Sequence, residues 1–183
     1  MGDSMSSMIL NGDTSGAITV TVPAVAGTNT ATLPAATGTV MVSGNMPAFS
    51  YYPNATVSAA PTTFTKLLFQ VKEYDTNNNF ASSRFTPTVA GYYQINGMMS
   101  NPSAPATGSC LLSIFRNGSR YSDGNQLYTT SSSPKNLVSM LVYLNGSTDF
   151  VELYGYQSSA SSANFLGNGL TEGYFQGILV RAA

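Results

Sequence analysis

Several groupings in this 183-residue sequence place chemically useful side chains near one another. Ser132-Ser133-Pro134-Lys135 sets a hydroxyl three residues before an amine, the nucleophile and base spacing of penicillin-recognising enzymes. A proline inside it makes the segment a turn, and no Ser-Asp-Asn or Lys-Thr-Gly motif accompanies it. Glu73 and Asp75, two apart on an extended segment, share a face and have the spacing of a carboxylate pair or a calcium cluster. The simpler reading is the solvated end of a strand. Asp149 and Glu152 are three apart, so a strand sends them to opposite faces. Asp123-Gly124-Asn125 has the composition of a loop and of a weak calcium ligand. Cys110 opens an apolar run and reads as a buried thiol, not a nucleophile. None of these is expected to be catalytic or to hold a resident metal or other cofactor.

Composition removes most of the remaining chemistry. There is no His and no Trp, and Cys110 is the single cysteine. Ser-His-Asp and Cys-His sites are excluded, zinc lacks its usual nitrogen ligand, and an intrachain disulfide is impossible. Charged residues make up 8% of the chain, against about 25% in ordinary globular domains. In their place stand 24 Ser, 20 Thr and 15 Asn. Seven basic and eight acidic residues give a net charge of −1 with no clustering of either sign. Nucleic-acid binding requires a basic stripe, so none is expected. No run approaches the ~20 apolar residues of a membrane span, and the first ten residues lack the features of a secretory signal. The sequons at Asn54, Asn117 and Asn145 are then chance products of an Asn/Ser/Thr-rich chain.

The elements that must position these groups are β-strands. Residues 1–45 contain no aromatic residue, Lys or Arg, and a unit repeats within them at a spacing of eleven. TVTVPAVAGT (Thr19–Thr28) aligns with TATLPAATGT (Thr30–Thr39), each a short strand followed by Pro and a Gly-bearing turn. Proline bars such strands from the centre of a sheet, and two units bury no core of their own. This arm is expected to intertwine with other chains or to lie against a larger partner. From Met46 onward the runs Thr65–Tyr74, Gly91–Met99, Cys110–Arg116, Leu137–Leu144, Phe150–Tyr156 and Tyr174–Val180 read as strands. Asn-Gly at 117–118 and at 145–146 reads as two hairpin turns. Short strands at this spacing make a sandwich or barrel.

Several of those strands are apolar on both faces. In Leu137–Leu144, Val138, Met140, Val142 and Leu144 point one way, while Leu141 and Tyr143 point the other. Cys110, Leu112 and Ile114 oppose Leu111 and Phe115; Phe175 and Leu179 oppose Ile178 and Val180. A chain with so few charges does not keep that much apolar surface in water. Hiding several hundred Å² per chain favours association by roughly 10 kcal/mol before entropic costs.

These segments resemble the globular head of complement C1q and its tumour-necrosis-factor-like relatives. Ala48–Ser50 looks like the first strand, Thr65–Phe80 like the second-strand segment and its Asn-rich loop. Ser83–Ile95 is similar to the family signature, although Ser83 stands where Gly is usual and Gln94 where an aromatic is common. Leu112–Tyr121, Val138–Gln157 and Tyr174–Val180 follow in family order, with Leu144–Ser147 in place of the usual Lys-Gly-Asp turn. The resemblance implies an all-β, ten-stranded, two-sheet jelly-roll sandwich that forms a trimer about an apolar axis. A short β-rich arm (residues 1–45) would precede a C1q-like knob (residues 46–183). The Pro-Ala-x-x-Gly-Thr repeat resembles N-terminal segments of bacteriophage fibre and decoration proteins, which implies a virion surface location.

The implied role is that of a non-enzymatic trimeric capsid decoration protein or short head fibre. The alternative is a receptor-binding tail-fibre tip. Tyr93, Ile95, Leu112, Phe115, Met140, Leu141, Tyr143, Phe150, Phe175 and Ile178 are expected in the core or the trimer interface. Ile18, Val20, Val22, Pro23, Leu33 and Pro34 are expected to dock the arm on a capsid or tail protein. Tyr121, Tyr128 and Tyr156, read as loop residues, are candidates for stacking on a host surface glycan.

Overall fold

The computed structural model describes residues 7–25, 27–33, 35–38, 40–101, 108–128 and 134–183. Its backbone contacts gather into two compact units, Met1–Gly38 and Thr39–Ala183.

The first unit holds an antiparallel ribbon of β1 (Ser7–Asn11) and β2 (Ala17–Thr21), paired Met8 to Val20 and Leu10 to Ile18. Paired side chains share a face, so Met8, Leu10, Ile18 and Val20 form one apolar surface, all of it exposed. The eleven-residue repeat does not produce two like units. Its first copy supplies only the Thr19–Thr21 end of β2, whose partner β1 lies outside the repeat, and its second copy contains no strand among the described residues.

The second unit contains β3 (Ala48–Tyr52), β4 (Val57–Ala59), β5 (Thr65–Lys66), β6 (Val71–Asp75), β7 (Phe80–Ala81) and β8 (Arg84–Phe85). These are followed by β9 (Gly91–Ser100), β10 (Ser109–Arg116), β11 (Ser119–Tyr128) and β12 (Lys135–Leu144). Last come β13 (Val151–Gln157), β14 (Ala163–Phe165) and β15 (Gly173–Ala182). One sheet runs β12-β9-β15-β3-β6; the other runs β11-β10-β13-β8-β7, with β5 also on β13. The only helix among the described residues is a single turn at Ser43–Asn45.

Aromatic rings from both sheets fill the space between them. Tyr51 stacks on Phe80, Phe80 on Phe49 and Phe49 on Phe85, at centroid distances of 4.0, 5.2 and 4.2 Å. Phe85 then meets Tyr93 edge-on at 5.4 Å. Phe49 and Tyr93 come from the five-stranded sheet, Phe80 and Phe85 from the other, so the stack ties the layers together. Phe49, Phe85 and Tyr93 are fully buried, and each ring so buried stabilises the fold by about 1.5–3 kcal/mol relative to exposure. Tyr93 donates its hydroxyl to the Val89 carbonyl at 2.6 Å, and burial pushes its pKa up.

Three sequence expectations differ from the structure. Thr65–Tyr74 is not one strand: it divides into β5 and β6, which lie in different sheets. Leu67 and Phe69, both buried, carry the chain across the core between them. Asn145–Gly146 is not a hairpin, because β12 and β13 belong to opposite sheets. Residues 119–128 form the edge strand β11, which places Asp123, Gly124 and Asn125 on a strand and not in a loop.

Candidate assembly interface

The four ion pairs formed among the described residues all lie on the six-stranded sheet and its turns. Lys66 and Arg84 both reach Glu152 Oε1, at 2.6 and 2.9 Å, and Arg116 meets Asp149 at 2.8 Å. Arg120 pairs with Asp123. The Glu152 carboxylate is raised in pKa by burial, but hydrogen bonds from Lys66 and Arg84 outweigh that and hold it below its ordinary value. Asp149 is lowered by hydrogen bonds from Asn117 and Arg116, against the opposing effect of burial. Asp123 is lowered by Arg120, again against burial, and by Ser113.

The outer face of the five-stranded sheet is different. Its central strands carry rows fixed by the register. Leu137, Met98 and Tyr174 make one row, and Ser139, Asn96, Gln176 and Ser50 make the next. Leu141, Gln94, Ile178 and Ala48 follow, and Tyr143 opposite Tyr92 closes the face with ring centroids 5.5 Å apart. Leu137, Leu141, Tyr143, Tyr92, Ile178 and Val180 are all exposed. The polar row is knitted internally: Ser139 Oγ donates to Asn96 Oδ1 at 2.7 Å, and Gln94 Nε2 donates to Ser139 Oγ at 2.9 Å. The result is an apolar face crossed by a hydrogen-bonded polar seam, with charge only at its margins: Arg181 pairs with Tyr92 in register, and Glu73 accepts from Ser50 Oγ.

The residues expected in core or interface therefore fall into three places. Tyr93, Ile95, Leu112 and Phe175 are fully buried, with Met140 packed against them. Leu141, Tyr143 and Ile178 stand on the exposed face. Phe115 and Phe150 belong to the opposite sheet side, where Phe115 stacks on Tyr154 at 3.9 Å and Phe150 lies under the Arg84 guanidinium at 3.8 Å. Tyr92 and Val180 also stand on the exposed face, Val180 on the side of Ile178 as the alternation predicts, and Leu137 joins them without having been singled out from sequence. Strict alternation back from Leu141 would have found Leu137.

The remaining candidates have ordinary structural partners. Glu73 accepts from Ser50 Oγ at 2.7 Å, whereas Asp75 caps the Asn79 and Phe80 amides at 3.0 and 2.9 Å. The two carboxylates thus serve different contacts. Asn125 Oδ1 accepts from the Leu137 amide at 2.6 Å. Among the described residues no group of three or more His, Cys, Asp or Glu side chains could hold a metal ion. Cys110 is buried, donates to Asn136 Oδ1 at 3.0 Å, and has its thiol pKa pushed up by burial. Ser132 and Ser133 lie outside the described residues, and Lys135 Nζ donates to the Thr171 carbonyl at 2.8 Å.

Tyr121 and Tyr128 are on β11 and Tyr156 is on β13, so none of the three is a loop residue. Tyr128 is 79% exposed, Tyr121 lies 5.7 Å from the Arg116 guanidinium, and Tyr156 packs on Phe64 at 4.9 Å. In the arm, Ile18, Val20, Val22, Pro23 and Leu33 are exposed. Pro34 lies outside the described residues. Met8 and Leu10 complete the ribbon's apolar face and were not expected there.

No protein-family model matches the chain, and no curated protein matches it in sequence. Solved structures do match. The globular domain of zebrafish complement 1qA protein superposes with a TM-score of 0.56 at 20% identity, over 75% of this chain and 98% of that one. The fold is the C1q/TNF-like jelly roll. Eiger TNF from S. frugiperda shares this jelly roll at a TM-score of 0.56 and 10% identity, over 76% of this chain and 95% of its own. PRD1 vertex protein P5 shares it at 0.52 and 14% identity, over 75% and 98%. The jelly roll in this chain contains no helix long and apolar enough to cross a membrane among its described residues.

Proposed function

We propose that this chain is a non-enzymatic structural protein of a bacteriophage virion, a trimeric capsid decoration protein or short head fibre. The observation that carries this reading is the outer face of the β12-β9-β15 strands. Its exposed Leu137, Leu141, Tyr143, Tyr92, Ile178 and Val180 need cover, and two further copies of the same face supply it about a threefold axis. The trimer implied by resemblance to the C1q and TNF-like family supports the same arrangement. The fold shared with PRD1 vertex protein P5 supports a virion setting.

In this reading the apolar ribbon face of Met8, Leu10, Ile18 and Val20 docks on a capsid or tail protein. An isolated two-stranded ribbon is marginal in water, so docking is what makes it a stable element. The C1q-like knob then projects outward. Deleting residues 1–45 should leave a trimeric knob that no longer enters virions. Particles that still incorporate the truncated protein would overturn the assignment of the arm. The rival reading, a receptor-binding tail-fibre tip, is favoured by the outward Tyr128. Immunogold labelling at capsid positions supports the head, and labelling confined to the tail supports the tip.

A further inference from the structure

At the edge of the six-stranded sheet, away from the apolar face, lies an open hollow of about 540 Å³, a size within the usual range of small-ligand sites. Lys66, Arg84, Asn78, Ser82, Thr86 and Thr88 contribute to its lining, and Ala81 is the only residue there without a polar side chain. Its electrostatics are unbalanced. Two cations converge on one carboxylate oxygen, Glu152 Oε1, so one positive charge is left over. The Glu152 side chain is only 3% exposed, whereas those of Lys66 and Arg84 are 27% and 44% exposed. The surplus charge therefore faces the solvent and the hollow. Arg84 gives Nε to Glu152 and holds its Cζ 3.8 Å from the centre of the Phe150 ring, so the guanidinium is anchored on two sides.

The walls of the hollow are built and not merely draped. Asp75 caps the amides of Asn79 and Phe80, Asn79 Oδ1 accepts from the Thr88 amide at 3.3 Å, and the Thr86 amide donates to the Asn79 carbonyl at 2.9 Å. The buried Ser83 hydroxyl accepts from the Phe69 amide at 2.8 Å. Asn78, Ser82 and Ser83 all have positive φ, at 52°, 51° and 56°. At Ser82 and Ser83 it makes the two-residue turn that joins β7 to β8 and sets the outline of the hollow on that side. Asn78, Ser82 and Thr86 line the hollow as hydrogen-bonding groups.

A fixed guanidinium, an ammonium and a ring of amides and hydroxyls suit a ligand with one carboxylate and several hydroxyl groups. We propose that this hollow binds an acidic sugar residue, with the sugar carboxylate on Lys66 and Arg84 and the ring hydroxyls on Asn78, Ser82 and Thr86. The site is formed within one chain and does not rest on the trimer or on the virion assignment.

The test uses the full-length protein with glucuronic acid and N-acetylneuraminic acid as probes, glucose as the neutral control and acetate as the simple anion. Saturation-transfer NMR and isothermal titration at millimolar sugar give the readout. Asn78→Gly removes the amide while tolerating positive φ, and Thr86→Val removes a hydroxyl without changing shape; circular dichroism checks that both fold. An acidic sugar should bind about tenfold more tightly than glucose, more weakly as salt rises, and the double variant should lose about tenfold for the sugar but not for acetate. No transfer to either acidic sugar would overturn the proposal. So would equal binding of glucose, or sugar binding untouched by the double variant.

Discussion

Leu141 and Ile178 stand on opposite sides of Gln94 on the outer face of the five-stranded sheet, each paired with it in register and each about half exposed, at 50% and 48%. Their backbones are inside the sheet while their side chains have no cover from their own chain. That combination separates folding from assembly. Changing both residues to Asp should leave the jelly roll intact, because neither side chain belongs to the core. Assembly should fail, since burying unpaired carboxylates at a subunit interface costs several kcal/mol. Circular dichroism with size-exclusion chromatography reads both outcomes: a folded monomer is expected, and a double variant that stays assembled would place the interface elsewhere.

The two Asn-Gly turns should respond differently to the same substitution. Gly118 and Gly146 both have positive φ, at 77° and 71°. A Cβ on Gly118 meets nothing within 4 Å, whereas on Gly146 it would collide with the backbone of Val89 and Ala90. Gly118→Ala should cost about 1 kcal/mol from backbone conformation alone. Gly146→Ala should cost several kcal/mol, because backbone must move. Thermal melts of the two variants decide it; equal losses would contradict the close approach at Gly146.

Those turns also show what could be read from the sequence. Asn-Gly marks a turn, and both glycines do take positive φ, but the dipeptide says nothing about which strand the chain joins next. At 117–118 the next strand is the hydrogen-bonded neighbour β11; at 145–146 the chain passes to the other sheet. Asp149 makes that corner, accepting from the Asn145 amide at 3.0 Å, from Asn117 Nδ2 at 2.7 Å and from Arg116. Such a long-range cluster leaves no local signature. β11 was missed for a related reason: SRYSDGNQLY is a polar edge strand with no apolar alternation to reveal it. The core strands were legible because Val138, Val142 and Leu144 alternate with outward residues. The exposed apolar face was legible from the same alternation, while the hollow was not, since its lining comes from β5, β7, β8 and the loops before β7 and after β8.

Acid should destabilise the fold. Glu152, Asp149 and Asp123 all have folded-state pKa values below their ordinary ones. A depressed carboxylate contributes stability that is present above its unfolded pKa and is lost as pH falls through the folded value. The melting temperature should therefore be level above about pH 5 and fall steadily below about pH 4. Asp149→Asn should lower stability at neutral pH and flatten this fall. A melting temperature unchanged down to about pH 2 would contradict the ion pairing.

Cys110 should be silent in the native protein. It is fully buried, hydrogen-bonded to Asn136 and raised in pKa, three features that suppress the reactive thiolate. An aromatic disulfide reagent at mildly alkaline pH should label denatured protein at once and native protein only as it unfolds. Rapid labelling of the native form would show that the β10 end is open.

Equilibrium sedimentation of the full-length chain at micromolar concentration addresses the trimer most directly. A mass three times the 19.2 kDa of the single chain is expected, held on dilution. A well-folded species of 19.2 kDa would mean that the exposed Leu141–Ile178 face needs no second copy, and the assembly reading would be wrong.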